Sequence, residues 1–202
     1  MRVLSTERSQ AGFTLLELMI AVVVIVVAFF GLLLSLHYGS VLNETARQLQ
    51  AAHEGARRAL EAVRAYEFEF IYHCFNADIN DDPNGPGTAQ ASLFPLDTAP
   101  NDNIGSNFVV AELQIRATDP DGVVGAILFP EASDTGTIVL SEQNQDPFLG
   151  PARDLNGNGT TNDLNVSVDY VLLPVTVLVQ WRGMFDDDRE VRMDTVLHSR
   201  LR

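Results

Sequence analysis

At 202 residues the chain has room for one membrane anchor and one compact domain, but not for a large multidomain enzyme. Its 13 basic residues, all arginine, stand against 27 acidic ones, and the net charge of −14 excludes a surface that attracts nucleic acid or anionic lipid headgroups. A single cysteine, Cys74, excludes an intramolecular disulfide, and its place on an apolar helical stripe predicts a buried, inert thiol.

The first 12 residues are short and polar, with Arg2, Glu7 and Arg8, and they end in the small pair Ala11-Gly12. From Phe13 to Leu36 nearly every residue is apolar and Glu17 is the only charge. As a helix this run is about 36 Å long, enough to cross a hydrocarbon core of about 30 Å. An ordinary secretory signal places its shorter apolar stretch before the small-residue site, not after it. The two leading arginines predict that residues 1–12 stay in the cytoplasm while the chain beyond the span is exported. Glu17 demands a reason, because a carboxylate inside a membrane span costs several kcal/mol and such groups have specific partners.

The string Gly12-Phe13-Thr14-Leu15-Leu16-Glu17, followed by an unbroken apolar helix, resembles the processing motif of type IV prepilins and of type II secretion pseudopilins. That resemblance implies cleavage by a prepilin peptidase between Gly12 and Phe13 and N-methylation of the new terminus. It also implies that Glu17 meets the Phe13 amine of a neighbouring subunit during assembly. Two such charges in a low-dielectric setting relieve each other's burial cost, so the pair specifies register more than it stabilises. Cleavage leaves 190 residues and, with two arginines and one glutamate removed, a net charge of −15. The resemblance further implies an inner-membrane, single-pass protein with its C-terminal domain in the periplasm, joined after assembly to a pilus or pseudopilus. Many pilins carry a proline in the anchor and this chain does not, which favours an accessory subunit over the main one. The type II secretion subunit that lacks the glutamate is excluded by Glu17.

Beyond the span, residues 37–75 continue as an amphipathic helix. Leu42, Ala46, Leu49, Ala56, Leu60, Val63, Phe70 and Cys74 recur in steps of three and four, with His53 and Glu67 filling the gaps. The opposite face carries the i,i+4 pairs Glu54–Arg58 and Arg57–Glu61. With no proline before Pro83, one helix is expected from about Thr14 to about Phe75, with Gly31, Gly39 and Gly55 as points where it can bend. Residues 76–107, rich in Asp, Asn, Pro and Gly, read as a connecting loop.

Residues 108–202 read as a β-sheet domain. Phe108–Ala117 and Val123–Pro130 are predicted to pair as a hairpin through the turn Asp119-Pro120-Asp121-Gly122. Thr137–Glu142 is a short strand. Val168–Arg182 is the strongest strand signal, with Val175, Val177, Val179 and Trp181 on one face; Pro174 makes its start an edge or a break. Glu190–Leu201 is the last strand. The fold class is therefore α+β: a long N-terminal helix, its first half transmembrane, packed on an antiparallel sheet of four or five strands. This layout resembles the pilin fold. The closing segment, Pro174–Gly183, an acidic turn and Arg189–Leu197, is similar to the end of pilus-modification minor pilins and minor pseudopilins.

One internal motif carries chemistry. Between Asp78 and Asp169 there are 15 acidic residues against Arg116 and Arg153, a balance compatible with bound calcium. Within that stretch residues 154–165 place Asp154, Asn156 and Asn158 at alternate positions, Gly159 at the sixth, and Thr160 where a backbone carbonyl can ligate. Asn165 stands where such loops carry a bidentate glutamate, so Asp163 or a residue elsewhere has to substitute. The same composition also makes a metal-free tight turn. No Cys/His cluster, phosphate-cradling glycine loop or nucleophile motif is present, so no enzyme is expected. The readings left are a minor subunit of a type IV pilus, a minor pseudopilin of a type II secretion system, and a membrane-anchored, calcium-stabilised adhesin or pilus-tip binding module. The expected partners are prepilin peptidase, other pilin or pseudopilin subunits and the inner membrane, with no nucleic acid.

Overall fold

The computed structural model describes residues 14–76, 78–83, 85, 106–117, 122–144 and 149–199. The chain divides into two compact units, one ending at Glu44 and the other beginning at Thr45. In the first, helix α1 (Leu15–Ala65) starts at Leu15 and every described residue from Thr14 to Ser40 is exposed. Leucine, isoleucine, valine and phenylalanine side chains therefore cover the helix on all sides. Such a cylinder suits lipid or other apolar helices rather than water.

The second unit begins with the remainder of α1. Ala52, Ala56, Ala59 and Val63 are fully buried, spaced four, three and four apart. This buried stripe differs from the expected one. Leu42 and Leu49 are exposed, as are Ala46 and His53, while Ala56 and Val63 belong to both. Small side chains let the helix axis approach the sheet closely, which leucines do not. Gly55 acts in the same way and is not a bend: a Cβ there would stand 2.5 Å from a methyl of Val110. The two anticipated ion pairs form at the surface, Arg57–Glu61 at 2.8 Å and Arg58–Glu54 at 3.0 Å.

The helix does not run to Phe75 without interruption. It breaks at Tyr66–Glu67, where Glu67 is extended, and resumes as α2 (Phe68–Phe75). No glycine or proline marks the break. Just beyond it the Tyr170 hydroxyl enters the first turn of α2, donating to the Phe68 carbonyl at 2.6 Å and accepting the Tyr72 N–H at 3.4 Å. Burial of that hydroxyl pushes its pKa up to about 12. The redirected helix seats Tyr72 edge-on against Phe129 and Phe68 against Tyr170. Cys74 is buried, as expected, and burial first, then Asp82 and Asp81, push its thiol up to about 11.

Among the described residues six strands follow a 3₁₀ turn (Ile79–Asp81): β1 (Asn107–Phe108), β2 (Gly125–Leu128), β3 (Glu131–Asp134), β4 (Thr137–Leu140), β5 (Leu172–Arg182) and β6 (Asp188–His198). The main sheet has four antiparallel strands in the order β1-β2-β5-β6, and α1 packs on it, which makes the fold α+β. Leu173, Val175, Val177, Val179 and Trp181 of β5 join the helix alanines in one core. The opposite register of β5 includes Thr176, buried as well and bonded to Asp194 at 2.7 Å. Pro174 lies outside the segment 176–179 that pairs with β2, so its missing N–H costs no bond on that side. Arg64 of α1 reaches Thr195 of β6 at 2.9 Å.

Two strands depart from expectation. The segment 108–117 pairs with β2 only through Asn107 and Phe108, then turns at Val110–Leu113 and touches the sheet once more at Gln114 opposite Arg182. The pairing partner was anticipated; the length was not. The Phe108 ring lies on Gly125, where a Cβ would meet it at 2.5 Å, and this fixes the chain before the strand can extend. Of the expected turn only Gly122, at φ +71, lies within the described residues. The unanticipated β3 is polar, Glu131-Ala132-Ser133-Asp134, and pairs with β4 through a two-residue turn in which Thr135 and Gly136 both have positive φ.

Candidate functional site

Two places carry the residues singled out by the sequence. The first is the start of α1. Thr14 precedes the helix and caps it, its Oγ1 accepting the Glu17 N–H at 3.3 Å and its carbonyl the Leu18 N–H at 3.2 Å. Thr14 and Glu17 thus take the first and fourth positions of a capping box, and an acid in the first turn is also favoured by the helix dipole. Glu17 is exposed, on a helix whose neighbours are apolar in every direction. Gly12 and Phe13 lie outside the described residues.

The second place is the loop at residues 154–165. Asp154 organises it: Oδ1 accepts the N–H of Gly157 at 2.6 Å and of Asn158 at 3.1 Å, and Oδ2 that of Gly159 at 2.8 Å. Gly157 and Gly159 both have positive φ, which the tight turning of the loop requires. Asn156 and Asn158 both point their amide nitrogens at Asp163 Oδ2, at 3.1 and 2.5 Å. Asn156 and Asn158 thus meet at Asp163, while the Asp154 carboxylate is taken up by backbone N–H groups of the loop. Thr160 is turned toward Asn158, its N–H and hydroxyl both donating to Oδ1 of that amide. Asn165 faces away and accepts the Ser167 N–H at 3.0 Å.

Sequence reasoning missed Glu142. It is 1% exposed, and its carboxylate braces the loop from outside: Oε1 accepts the N–H of Leu155 at 2.7 Å and of Asn156 at 3.3 Å, Oε2 that of Asp163 at 3.3 Å. Its own N–H returns to the Asp163 carbonyl at 3.1 Å. Leu155, 1% exposed, plugs the loop into the core, and its carbonyl accepts the N–H groups of Val171 and Leu172 at the start of β5. The loop is thus held by the main sheet and by a buried acid.

Among the described residues no group of three or more His, Cys, Asp or Glu is arranged to hold a metal ion. The loop offers two acids and two amides; the amides turn their nitrogens toward Asp163 and use their oxygens to accept backbone N–H groups within the loop.

Residues 8–33 match the family model described as the prokaryotic N-terminal methylation motif. This is the type IV pilin-like prepilin signal, and its window takes in Gly12, Phe13 and Glu17. The signal supports a place among pilins and pseudopilins, which are structural subunits, and it implies processing by prepilin peptidase and assembly with pilin subunits. With the exposed apolar helix that follows, it fits a membrane-anchored pilin. No curated protein and no solved structure matches the chain.

Proposed function

We propose that this chain is a minor, accessory subunit of a type IV pilus. Prepilin peptidase cuts it between Gly12 and Phe13, Phe13 is N-methylated, and residues 13–36 hold the product in the inner membrane with the C-terminal domain in the periplasm. Assembly then proceeds through the N-terminal helix, Glu17 meeting the Phe13 amine of a neighbour. The observation that carries this reading is the methylation motif at residues 8–33 leading into a helix that is apolar on every side. The accessory role is favoured by the absence of proline from the anchor. The resemblance of the closing segment extends equally to a minor pseudopilin of a type II secretion system, and the neighbouring genes separate the two. Mass spectrometry of the full chain from peptidase-competent cells tests the processing step: the expected N-terminus is N-methylated Phe13, and a chain that keeps Met1 overturns it.

A calcium ion held by the loop at residues 154–165 is a second part of the proposal. It is supported by the meeting of Asn156 and Asn158 at Asp163 in a loop that Asp154 organises through its backbone N–H groups. Two of the four are neutral, so affinity is modest and the ion strengthens a loop already braced by Glu142. Millimolar calcium is expected to raise the melting temperature of the detergent-solubilised chain by about 3–5 °C over a chelated sample. The double variant Asp154→Asn/Asp163→Asn is expected to erase the rise. An unchanged melting temperature in the unaltered chain removes the ion from the account.

A further inference from the structure

A cleft of about 310 Å³ opens on the face of the main sheet turned away from α1, between residues 149–153 and the β5–β6 pair. Its strand side is built from the outward positions of two antiparallel neighbours. Pro174 lies opposite Val196 and Thr176 opposite Asp194, while the alternate residues Leu173, Val175 and Val177 point into the core. Thr176 is 2% exposed although it faces away from the helix, so it forms a floor and not a rim. On the loop side Gly150 has φ +81, and a Cβ there would stand 3.5 Å from Nη2 of Arg153. The Arg153 guanidinium therefore lies over the glycine at the edge of the cleft.

The charges in the cleft do not cancel. Asp194 Oδ1 accepts the Thr176 hydroxyl at 2.7 Å, and Arg192 Nε donates to both Asp194 oxygens, at 2.7 and 2.9 Å. Arg192 first, then Thr176, hold the Asp194 carboxyl below the usual carboxylate range, so it is ionised and the Arg192–Asp194 pair is neutral. Among the described residues Arg153 has no hydrogen-bond or ion-pair partner. It is exposed and within reach of a ligand. In a chain of net charge −14 the cleft thus keeps one uncompensated positive charge, beside a polar floor and the apolar walls of Pro174 and Val196.

We propose that this cleft binds a small hydroxylated monocarboxylate of the size of a hexuronic acid, an acidic sugar. Arg153 takes the carboxylate through its planar fork of N–H donors. The ionised Asp194 accepts hydrogen bonds from ligand hydroxyls, and Pro174 and Val196 pack against the ring. Size and charge select this class. The volume lies at the low end of the roughly 300–1,000 Å³ of small-molecule sites, room for one sugar ring. One unbalanced arginine matches one negative charge. A phosphate or polyanion brings more charge than the cleft balances, and the acidic remainder of the chain repels it. A neutral sugar leaves the arginine unused. The cleft belongs wholly to the sheet domain, so its occupancy does not depend on how the N-terminus is processed.

The test is an NMR titration of the full chain in detergent with glucuronate, beside glucose, which lacks the carboxylate, and acetate, which lacks the hydroxyls. Glucuronate is expected to bind with a dissociation constant of about 1 mM and to shift the amide signals of residues 149–153, 174–176 and 192–196. Glucose and acetate are expected to bind about tenfold more weakly or not at all. Arg153→Ala is expected to weaken glucuronate about tenfold while the melting temperature stays within about 2 °C, because the side chain is exposed and makes no bond to lose. Val196→Trp, which fills the cleft and keeps every charge, is expected to weaken it as much, and raised salt to weaken binding to the unaltered chain. No shift at about 20 mM glucuronate overturns the site. So does glucose or acetate binding as tightly as glucuronate, or an Arg153→Ala chain that binds undiminished.

Discussion

Glu17→Gln is expected to leave the chain inserted and cleaved but to lower its recovery in assembled filaments by about tenfold or more, from the cost of leaving a buried amine without its counter-charge. The glutamine is chosen because Glu17 has a local role as well as the proposed intermolecular one. It occupies the fourth position of a capping box headed by Thr14. Valine at this site would disturb the helix start and the charge together. Glutamine fits the same capping position and removes only the charge. Circular dichroism and membrane fractionation are expected to show no change. Co-purification of the variant with sheared filaments, against the unaltered chain in the same strain, gives the decisive number. Undiminished recovery would mean that Glu17 serves the helix cap alone.

The helix and the sheet were legible because their patterns are local. An apolar run with one acid announces the anchor, and alternation from Val175 to Trp181 announces a strand with one face in the core. What escaped was set by contacts distant in sequence. The break at Tyr66–Glu67 carries no glycine or proline, and the helix that resumes after it is held in its first turn by a tyrosine about a hundred residues further on, Tyr170. The expected stripe of apolar and small residues shared Ala56 and Val63 with the buried one but ran through Leu42, Ala46 and Leu49, whereas close helix–sheet approach also buries Ala52 and Ala59. β3 was invisible because four polar-leaning residues carry no alternation; its signal was the Thr135-Gly136 turn beside it. At the candidate site the sequence shows the Asp and Asn spacing, and in the structure Asn156 and Asn158 meet at Asp163 while Asp154 holds backbone N–H groups of the loop. Glu142 lies outside the repeat that defines such loops, so no local pattern points to it.

That missed residue yields the largest stability effect expected in the sheet domain. Glu142→Ala is expected to lower the melting temperature of the full chain by about 10 °C, the effect of a few kcal/mol in a chain of this size. The reason is specific to what the carboxylate does. It accepts three backbone N–H groups, those of Leu155, Asn156 and Asp163, in a place where Glu142 itself is 1% exposed. Alanine leaves those donors without their acceptor, at about 1–3 kcal/mol for each that water cannot reach. Glu142→Gln separates this from simple loss of bulk. Its oxygen can still serve Leu155 and Asn156, but its amide nitrogen then confronts the Asp163 N–H, donor against donor, so a loss of roughly half that of alanine is expected. The damage also has a direction. Leu155 is the link between the loop and β5, through its carbonyl to Val171 and Leu172. Exchange protection is therefore expected to fall first at residues 154–165 and then at the start of β5, with β1–β2 pairing least affected. A melting temperature within 2 °C of the unaltered chain for Glu142→Ala would mean that water enters freely and that the loop does not depend on its brace.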